Sequence, residues 1–274
     1  MTQIVPVKTG VDEYHEPPIR WLSARMVLRC FAIAALVVFF IACIRLSDID
    51  LAKLATGLPR LALWAAKAWP PQLTGIDVML LRAAETVAIA TVATSTATLL
   101  AFPLSVFVSR NVSPWPLLGL PVRLLVNAFR GIDTVVFAIL FVAAVGLGPF
   151  AGVLGMIVHS IGVITKLNSE AIETVPAAPL EAAAMTGASH ASIVTYALLP
   201  SVLPNLASVA LYVWEANVRT STILGIVGAG GIGIEIKAAI DLLDFPRLLT
   251  LTAIVLAMVT IIDQLSAWLR RRLV

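Results

Sequence analysis

Residues 149–167 read PFAGVLGMIVHSIGVITKL, a stretch of 19 residues whose one formally charged side chain, Lys166, stands near its end. A helix needs roughly 20 apolar residues to cross the hydrocarbon layer of a membrane, so this stretch predicts a transmembrane helix. Five further runs have the same character. They are residues 26–46, 80–108, 122–146, 201–222 and 248–268.

The composition of the whole chain also indicates a membrane protein. Of its 274 residues, 59% are hydrophobic and 13% are charged, and the mean hydropathy is +0.97. Soluble proteins carry about 25% charged residues, and a soluble chain of this size could not cover its exterior with so few charges. Lipid leaves an open strand unpaired, so each crossing must be helical. We therefore predict an all-α polytopic membrane protein with about six transmembrane helices.

Basic residues predict which way these helices point. Arg20, Arg25 and Arg29 stand at the start of the first run, and three arginines at 270–272 follow the last. The positive-inside rule then makes both ends cytoplasmic, as six crossings require. The predicted order is a cytoplasmic tail at 1–25, a first transmembrane helix at 26–46, an extracytoplasmic amphipathic segment at 47–79, a five-helix core at 80–268 with a cytoplasmic loop at 168–200, and a cytoplasmic C-terminus at 269–274.

The amphipathic segment carries Lys53, Arg60 and Lys67 at intervals of seven, which places the three cations on one helical face. One interpretation is an interfacial helix whose cations reach the lipid headgroups. Another is attraction of an anionic solute towards the entrance. Pro59 is expected to break this helix into two pieces.

The connection at 167–200 reads LNSEAIETVPAAPLEAAAMTGASHASIVTYALLP and is long for a loop, which indicates a function. Pro179, with an acid in the turn after it, predicts a helix start. Gly187 suits the end of that helix, because glycine adopts a left-handed backbone readily. Ser189 is expected to cap a second short helix that runs to Leu198. The loop is thus predicted to be a helix, a glycine turn and a helix.

This loop resembles the EAA loop of ABC-importer permeases, whose pattern is E-A-A-x3-G-x9-I-x-L-P. The chain matches the pattern and its spacing, except that Ala197 stands where the family has Ile. In that family the loop forms coupling helices that dock in a groove of a separate ATPase subunit. The resemblance implies an ATPase-coupling role for Glu181, Ala182, Ala183, Gly187, Leu199 and Pro200.

Two further elements are similar to the phosphonate-type permeases of this family. They are EANVR at 215–219 with ILGIVGAGGIG at 223–233, and GLGPFAGVLG at 146–155. At 130–134 the chain reads RGIDT, where that group usually has Arg-Ser/Thr-Ile-Pro-Glu. The carried compound therefore stays open between phosphonate, phosphite and phosphate. The methionine permeases share the Gly-Ala-Gly-Gly part, so import of another small solute such as methionine is the alternative.

The resemblance implies the type I ABC importer fold, like that of the methionine permeases, and a permease subunit that is not an enzyme. A cytoplasmic ATPase subunit would supply the energy, and an extracytoplasmic substrate-binding protein would deliver the solute. A second permease subunit, most simply a second copy in a homodimer, would complete the pathway in a bacterial inner (plasma) membrane. No cofactor, metal or nucleic acid is expected. Cys30 and Cys43 are interpreted as small apolar residues.

An integral membrane enzyme, such as a phosphatase or a lipid transferase, is the competing class. Such an enzyme should cluster acids, histidines or arginines at one membrane face, whereas the histidines at 15, 159 and 190 are scattered. A passive channel would not require a coupling loop. The chain also lacks the phosphate-binding Gly-x4-Gly-Lys-Ser/Thr loop that ATP chemistry needs.

Charged side chains inside predicted spans are rare and costly, so each is a candidate for the translocation pathway. Arg130 and Asp133 are expected to share one face of the third helix and to pair as a packing contact. Alternatively, Arg130 and Asn127 line the pore and offer donors to an anion. Glu215 and Arg219 are expected to pair near the outer end of the fifth helix. The candidate pathway residues are Asn127, Arg130, Asp133, Glu215, Asn217 and Arg219, with Asn217 projecting away from the Glu215–Arg219 pair.

The glycines after the fifth run fit the dinucleotide pattern G-x-G-x-x-G, but no βαβ unit surrounds them. We expect them instead to turn the backbone tightly at an extracytoplasmic gate, or to pack closely across a subunit interface. The gate glycines are Gly228, Gly230, Gly231 and Gly233.

Three other polar groups have structural interpretations. His159, inside the fourth run, is expected to be a hydrogen-bonded packing residue rather than a proton relay. His190 is expected to make a surface contact. The hydroxyl residues between Thr86 and Thr98 suit close helix packing. Alternatively, the hydroxyls of Thr91, Ser95 and Thr98 line the pathway and make it polar.

Overall fold

A computed structural model describes residues 8–9, 13–14, 24–48, 50–113 and 116–273 of the chain. It divides into two compact units, Met1–Ala62 and Leu63–Val274. The predicted tail at 1–25 lies largely outside the described residues; strands β1 (Lys8–Thr9) and β2 (Glu13–Tyr14) pair antiparallel. The helices are α1 (Ala24–Leu46), α2 (Leu51–Lys67), α3 (Ile76–Val108), α4 (Pro116–Gly131), α5 (Thr134–Val145), α6 (Pro149–Glu173), α7 (Ala177–Met185), α8 (His190–Ile193), α9 (Leu199–Ile226), α10 (Gly233–Asp241) and α11 (Phe245–Leu273), with a π-helical turn, Val194–Leu198, between α8 and α9.

Five helices of the described chain are long and apolar enough to cross a membrane, namely α1, α3, α6, α11 and the continuous helix His190–Ile226. Five of the six predicted runs are therefore confirmed as single helices. The run at 122–146 is wrong as a single helix, because α4 ends at Gly131 and α5 begins at Thr134 with a bend of 90° between them. Together the bent pair counts as a sixth span.

The break between α4 and α5 has a local cause in the sequence. Asp133 has an extended backbone, and its carboxylate accepts a hydrogen bond from Val135 N at 2.9 Å. This is the geometry of a helix N-cap, in which a side-chain oxygen satisfies one of the free N–H groups of the first turn. Asp133 thus starts a new helix instead of continuing the old one.

Helix α2 runs without interruption through Pro59, so the predicted break there is wrong. One proline removes a single backbone donor, and a helix accommodates that loss by distorting locally. The Asp50 carboxylate caps the start of α2 by accepting from Ala52 N at 2.9 Å and Lys53 N at 3.1 Å. No described side chain of α2 is buried, as expected for a helix that lies on a surface.

Helices α3 and α6 form the centre of the Leu63–Val274 unit. They pack against each other over much of their length, α9 packs on both, and α4 and α5 pack on α6. Ala90, Ala93, Met156 and Leu224 are fully buried between them. Small side chains let helix backbones approach closely, which is the main source of packing between helices in lipid. The outer faces of the bundle expose large apolar side chains, as a lipid-facing surface does.

Two parts of the architecture differ from the sequence expectation in extent. Helix α6 continues past the predicted end at 167 to Glu173, so the loop before α9 begins later than expected. Helix α10, in the connection between the last two spans, was not predicted. It is attached to α11 by a hydrogen bond of 2.7 Å from Arg247 Nη2 to Glu235 Oε2.

Candidate coupling loop and translocation pathway

The segment between α6 and α9 forms a helix, a glycine turn and a second helix, as predicted. Gly187 follows α7 with φ +77°. Ser189 caps α8, and its hydroxyl accepts a hydrogen bond from Ser192 N at 3.3 Å. No atom lies within 4 Å of the position that a Cβ of residue 187 would occupy. It is therefore the left-handed backbone, and not a lack of space, that favours glycine at this position.

Two details of the loop correct the prediction. Helix α7 begins at Ala177 and not at Pro179, so Glu181 lies in its second turn. Pro179 fits within the first turn, because the first N–H groups of a helix have no intrahelical acceptor. The second helix does not stop at Leu198, since α8, the π turn and α9 are one helix from His190 to Ile226. The π turn ends two residues before Pro200, whose ring nitrogen has no N–H to donate.

The exposed surface of the loop includes two residues that the sequence analysis missed. Met185 is 89% exposed and Tyr196 is 82% exposed, one on each arm of the loop. Large, exposed apolar side chains beside a coupling motif are candidate contacts for a partner protein. Glu181 and Ala182 are exposed as well, whereas Leu198 is buried in a small core beneath the loop. The amino-acid pattern alone does not tell which apolar residues of such a loop face outward.

The turn after α3 holds this loop in place. His190 Nε2 lies 2.8 Å from Val112 O, and Asn111 Nδ2 donates to Ile172 O at 2.9 Å. Because a carbonyl oxygen accepts, the His190 Nε2 atom carries a proton in this contact. The ring predicted to make a surface contact is thus engaged by its own chain.

The predicted sharing of one helix face by Arg130 and Asp133 is wrong. Arg130 lies in the last turn of α4, and Asp133 is the N-cap of α5 on the other side of the break. A spacing of three residues gives a shared face only within a continuous helix. Both side chains are exposed, so they remain accessible as separate groups.

His159 stabilises the same break from α6. Its Nδ1 lies 2.9 Å from the carbonyl oxygen of Ile132, between α4 and α5. In a continuous helix Val136 N would bind this oxygen, but Val136 N binds Asp133 O instead, at 3.1 Å. The prediction of a hydrogen-bonded packing histidine is confirmed.

Glu215 and Arg219 pair as predicted, at 3.0 Å, within a larger network. Arg270 Nη2 reaches Glu215 Oε2 at 3.0 Å, and Arg219 Nη1 reaches Asp263 Oδ1 at 3.2 Å. Arg270 belongs to the last turn of α11, so the network connects α9 to the C-terminal end of that helix.

The partners Asp263 and Arg270 were missed, although the sequence carries a signal for them. Asp263 is the one acidic residue of the run at 248–268, and it stands seven residues before Arg270. That interval places both on one face of α11. An intramembrane acid without a partner on its own helix implies a cation on a neighbouring helix.

Asn217 joins three helices of the bundle. It is 4% exposed, and its Nδ2 donates to Thr94 Oγ1 at 2.8 Å and to Ser160 Oγ at 2.9 Å. The prediction that Asn217 projects away from the Glu215–Arg219 pair is confirmed. In this arrangement its amide joins α9 to α3 and α6.

A cavity of ≈ 390 Å³ between α3, α9 and α11 brings together the hydroxyls that were predicted to wet the pathway. Thr91, Ser95 and Thr98 all line it. Trp214, which the sequence analysis did not single out, donates from Nε1 to Thr91 Oγ1 at 2.9 Å. Thr86 instead is buried and accepts from Ile232 N at 2.8 Å, which is a packing role.

Residues 228–233 form the tight turn that was predicted. Gly228, Gly230 and Gly231 have φ values of +86°, +90° and +75°. A Cβ on Gly230 would lie 2.8 Å from Pro149 Cα, so only glycine permits this contact with the start of α6. This turn lies at the end of the bundle opposite the loop 174–198.

Asn127 lies near this loop, in a polar cavity of ≈ 170 Å³ that Arg110, Arg123 and Lys166 also line. The cavity gathers basic side chains from α4, α6 and the turn after α3. Nowhere in the described part of the chain do three His, Cys, Asp or Glu side chains come together as a metal site requires.

Comparison with known proteins identifies relatives of this arrangement. A family model described as "Binding-protein-dependent transport system inner membrane component" matches residues 101–274. The chain is 49% identical over 223 residues to a Stutzerimonas stutzeri protein named as a phosphite transport system permease, an alignment that covers 81% of this chain and 79% of that protein. It is 40% identical over 206 residues to a phosphate-import permease of Mycolicibacterium smegmatis, covering 75% of this chain and 39% of that one.

The solved structures support the predicted architecture. An inward-facing structure of the MetNI methionine ABC transporter matches with a TM-score of 0.64 and 23% sequence identity, covering 73% of this chain and 97% of that chain. The predicted type I importer fold is thereby confirmed.

Proposed function

Since the chain belongs to the family of binding-protein-dependent transport system inner membrane components, we propose that it is the permease subunit of an ABC importer for a small phosphorus oxyanion. Phosphite is the first candidate, with phosphonate and phosphate beside it, because relatives named for phosphite and phosphate align with most of this chain. The observation that carries the coupling role is the loop of α7, Gly187 and α8, which joins the EAA pattern to an exposed helix–turn–helix surface.

The energy for transport comes from a separate cytoplasmic ATPase, and the chain itself does not hydrolyse ATP. The ATPase docks on the loop through the surface around Glu181, with Met185 and Tyr196 as apolar contacts on either side of Gly187. Its closure on ATP moves the loop as a rigid body and switches the permease between its two states. Ala182, Ala183, Leu199 and Pro200 complete the coupling motif.

The pathway lies between two copies of this chain in a homodimer. A substrate-binding protein delivers the oxyanion to the end that carries the glycine turn 228–233, and the loop end faces the cytoplasm of a bacterial cell together with both termini. Arg130 and Asn127 act as donors along the pathway. Because a transported ion must also leave, a few exposed donors serve transport better than one tight site.

A reconstituted complex tests this function. The chain is co-purified with the ATPase and binding protein encoded beside it, placed in proteoliposomes, and assayed for ATP-dependent uptake of labelled phosphite, methylphosphonate, phosphate and methionine. We expect uptake of at least one phosphorus oxyanion and none with a hydrolysis-deficient ATPase. Uptake of methionine alone would establish the alternative substrate class.

A further inference from the structure

The polar cavity at the coupling-loop end of the bundle has a wall that the proposed function leaves unexplained. It lies where α3 ends, α4 begins and α6 ends, and its volume is ≈ 170 Å³. At roughly 30 Å³ for each water in the liquid, this is room for one small anion and a few waters. Its polar lining consists of Arg110, Arg123, Asn127, Lys166, Ser169 and Glu173.

The wall of this cavity carries more positive than negative charge. Lys166 pairs with Glu170 at 3.1 Å, and Glu173 accepts from the backbone N of Arg110 at 2.9 Å. With three basic side chains and these two carboxylates, the cluster keeps one net positive charge.

Neither arginine of the wall has its charge neutralised by a nearby acid. Arg123 uses Nε and Nη2 on the carbonyl oxygen of Val108, at 2.8 and 2.6 Å, which is a neutral acceptor. Among the described residues, no carboxylate lies within ion-pair distance of the Arg110 or the Arg123 guanidinium. In a partly enclosed cavity such charges attract an anion more strongly than they would in open water.

We propose that this cavity is a binding site for a small tetrahedral oxyanion on the coupling-loop side of the permease. Arg110 supplies the planar fork of donors that suits a phosphorus oxyanion, Lys166 adds a mobile ammonium group, and the Asn127 amide adds a neutral donor. The ligand class follows from the chemistry of the wall. Its meaning for transport rests on the proposed function.

An oxyanion bound in this cavity affects the coupling loop through the residues next to Arg110. Asn111 donates to Ile172 O and Val112 O contacts His190, so the turn that carries Arg110 also holds the start of α8. An oxyanion bound at Arg110 therefore stabilises one position of the loop. Solute that has been released on this side and binds again slows the next cycle, which amounts to inhibition of the importer by its own product.

Calorimetric titration of phosphite into the permease–ATPase complex tests the site directly. The complex is held in nanodiscs of zwitterionic lipid, without binding protein or nucleotide. Phosphite is the probe because the same ion can then be used in the transport assay, where ATP hydrolysis itself releases phosphate. We expect saturable binding of one phosphite for each permease chain.

Two charge-removing variants and one matched control assign the binding to this cavity. Arg110→Gln and Lys166→Gln each remove one charge-assisted contact and should weaken binding about tenfold or more. Arg110→Lys keeps the charge but lacks the planar fork of donors, so its phosphite affinity should lie between those of the wild type and Arg110→Gln. Lys237→Gln, which removes a cation paired with Asp241 on α10, should leave binding unchanged. Absent binding in the wild type, or undiminished binding in both Gln variants, overturns the proposal.

A lipid headgroup offers the same phosphate chemistry, and a second arm separates the two sources. The titration is repeated in nanodiscs that contain phosphatidylglycerol. Retained phosphite affinity supports a site for free solute, whereas loss of binding assigns the cavity to a lipid headgroup and overturns the proposal.

A transport assay separates this inference from the proposed function. Phosphite added on the ATPase side of proteoliposomes should slow uptake by the wild type and slow it less in Arg110→Gln. If uptake is normal and added phosphite slows the wild type and Arg110→Gln equally, the inhibitory site is contradicted and the proposed importer function still stands. Binding without any ATP-dependent uptake contradicts the proposed function instead.

Discussion

His159 Nδ1 lies 2.9 Å from the carbonyl oxygen of Ile132, so a side chain of α6 satisfies the backbone of the break between α4 and α5. The neighbouring carbonyl of Asp133 binds Val136 N, which leaves Ile132 O without an acceptor role in either helix. The 90° turn of the chain at this point therefore depends on a tertiary contact as well as on its N-cap.

Replacement of His159 by Leu should destabilise this break. The variant leaves the Ile132 carbonyl without its protein donor. Because this hydrogen bond is exposed, the loss is that of a typical net hydrogen bond, about 0.5–1.5 kcal/mol. The thermal midpoint of the purified protein in detergent should fall. His159→Asn is the matched control, because its amide can donate from nearly the same position as Nδ1. Equal midpoints for the Leu variant and the wild type would contradict this role.

Gly187→Val should uncouple ATP hydrolysis from uptake. The residue has φ +77° and no atom within 4 Å of its Cβ position, so the change acts by straining the backbone, by about 1–2 kcal/mol. That strain alters the angle between α7 and α8. Co-purification with the ATPase and the ratio of ATP hydrolysed to solute imported measure the effect.

Gly187→Asn controls for the loss of glycine as such, since asparagine tolerates a left-handed backbone better than a branched residue does. It should keep most of the coupling. Full uptake and normal assembly in the Val variant would show that the turn needs no left-handed residue.

Arg130→Ala should abolish or greatly reduce uptake while the complex still assembles. Arg130 is exposed and lies on a different helix from Asp133, so its removal leaves no buried partner unpaired. For the same reason the double variant Arg130→Ala/Asp133→Ala should not regain transport. Complex yield and uptake are measured side by side. Recovery in the double variant would restore the packing-pair interpretation, in which loss of one partner is the defect.

Glu215→Gln should destabilise the protein more than Asp263→Asn does. The Glu215 side chain is 14% exposed and binds both Arg219 and Arg270, whereas Asp263 is 42% exposed and binds Arg219 alone. Breaking a largely buried ion pair typically costs about 3–5 kcal/mol, and an exposed pair about 0–1 kcal/mol. Thermal midpoints of the two variants provide the comparison. The reverse order would mean that Arg219 depends chiefly on Asp263.

The sequence predicts the helices of this chain well because a helix that crosses lipid needs a long apolar run, and such runs can be counted residue by residue. It predicts the coupling loop for a similar reason, since Gly187 and Ser189 act through their own backbone and side chain. A change in the direction of the chain within an apolar run is harder to predict. The run at 122–146 is apolar on both sides of the break, and hydropathy carries no information about a turn of 90°.

The contacts between helices were the least predictable part of the candidate site. Asp133 was interpreted as an ion-pair partner, although an aspartate before Thr134 is also a common helix start. The network of Glu215, Asp263 and Arg270 joins residues about 50 positions apart, which local spacing does not reveal. Such pairs depend on how α9 and α11 are placed, and only the folded chain decides that.

The helix from His190 to Ile226 has 37 residues, a length of about 55 Å at 1.5 Å per residue. It starts in the loop proposed as the docking surface for the ATPase and ends at the glycine turn on the other side of the bundle, with no intervening loop to absorb a displacement. In the proposed importer such a helix acts as a connecting rod between the ATPase and the glycine turn. Besides Pro200 and Pro204, the π turn at Val194–Leu198 interrupts its regular hydrogen bonding where it leaves the loop. The stiffness of those five residues then sets how much of the stroke made by the ATPase arrives at Gly228.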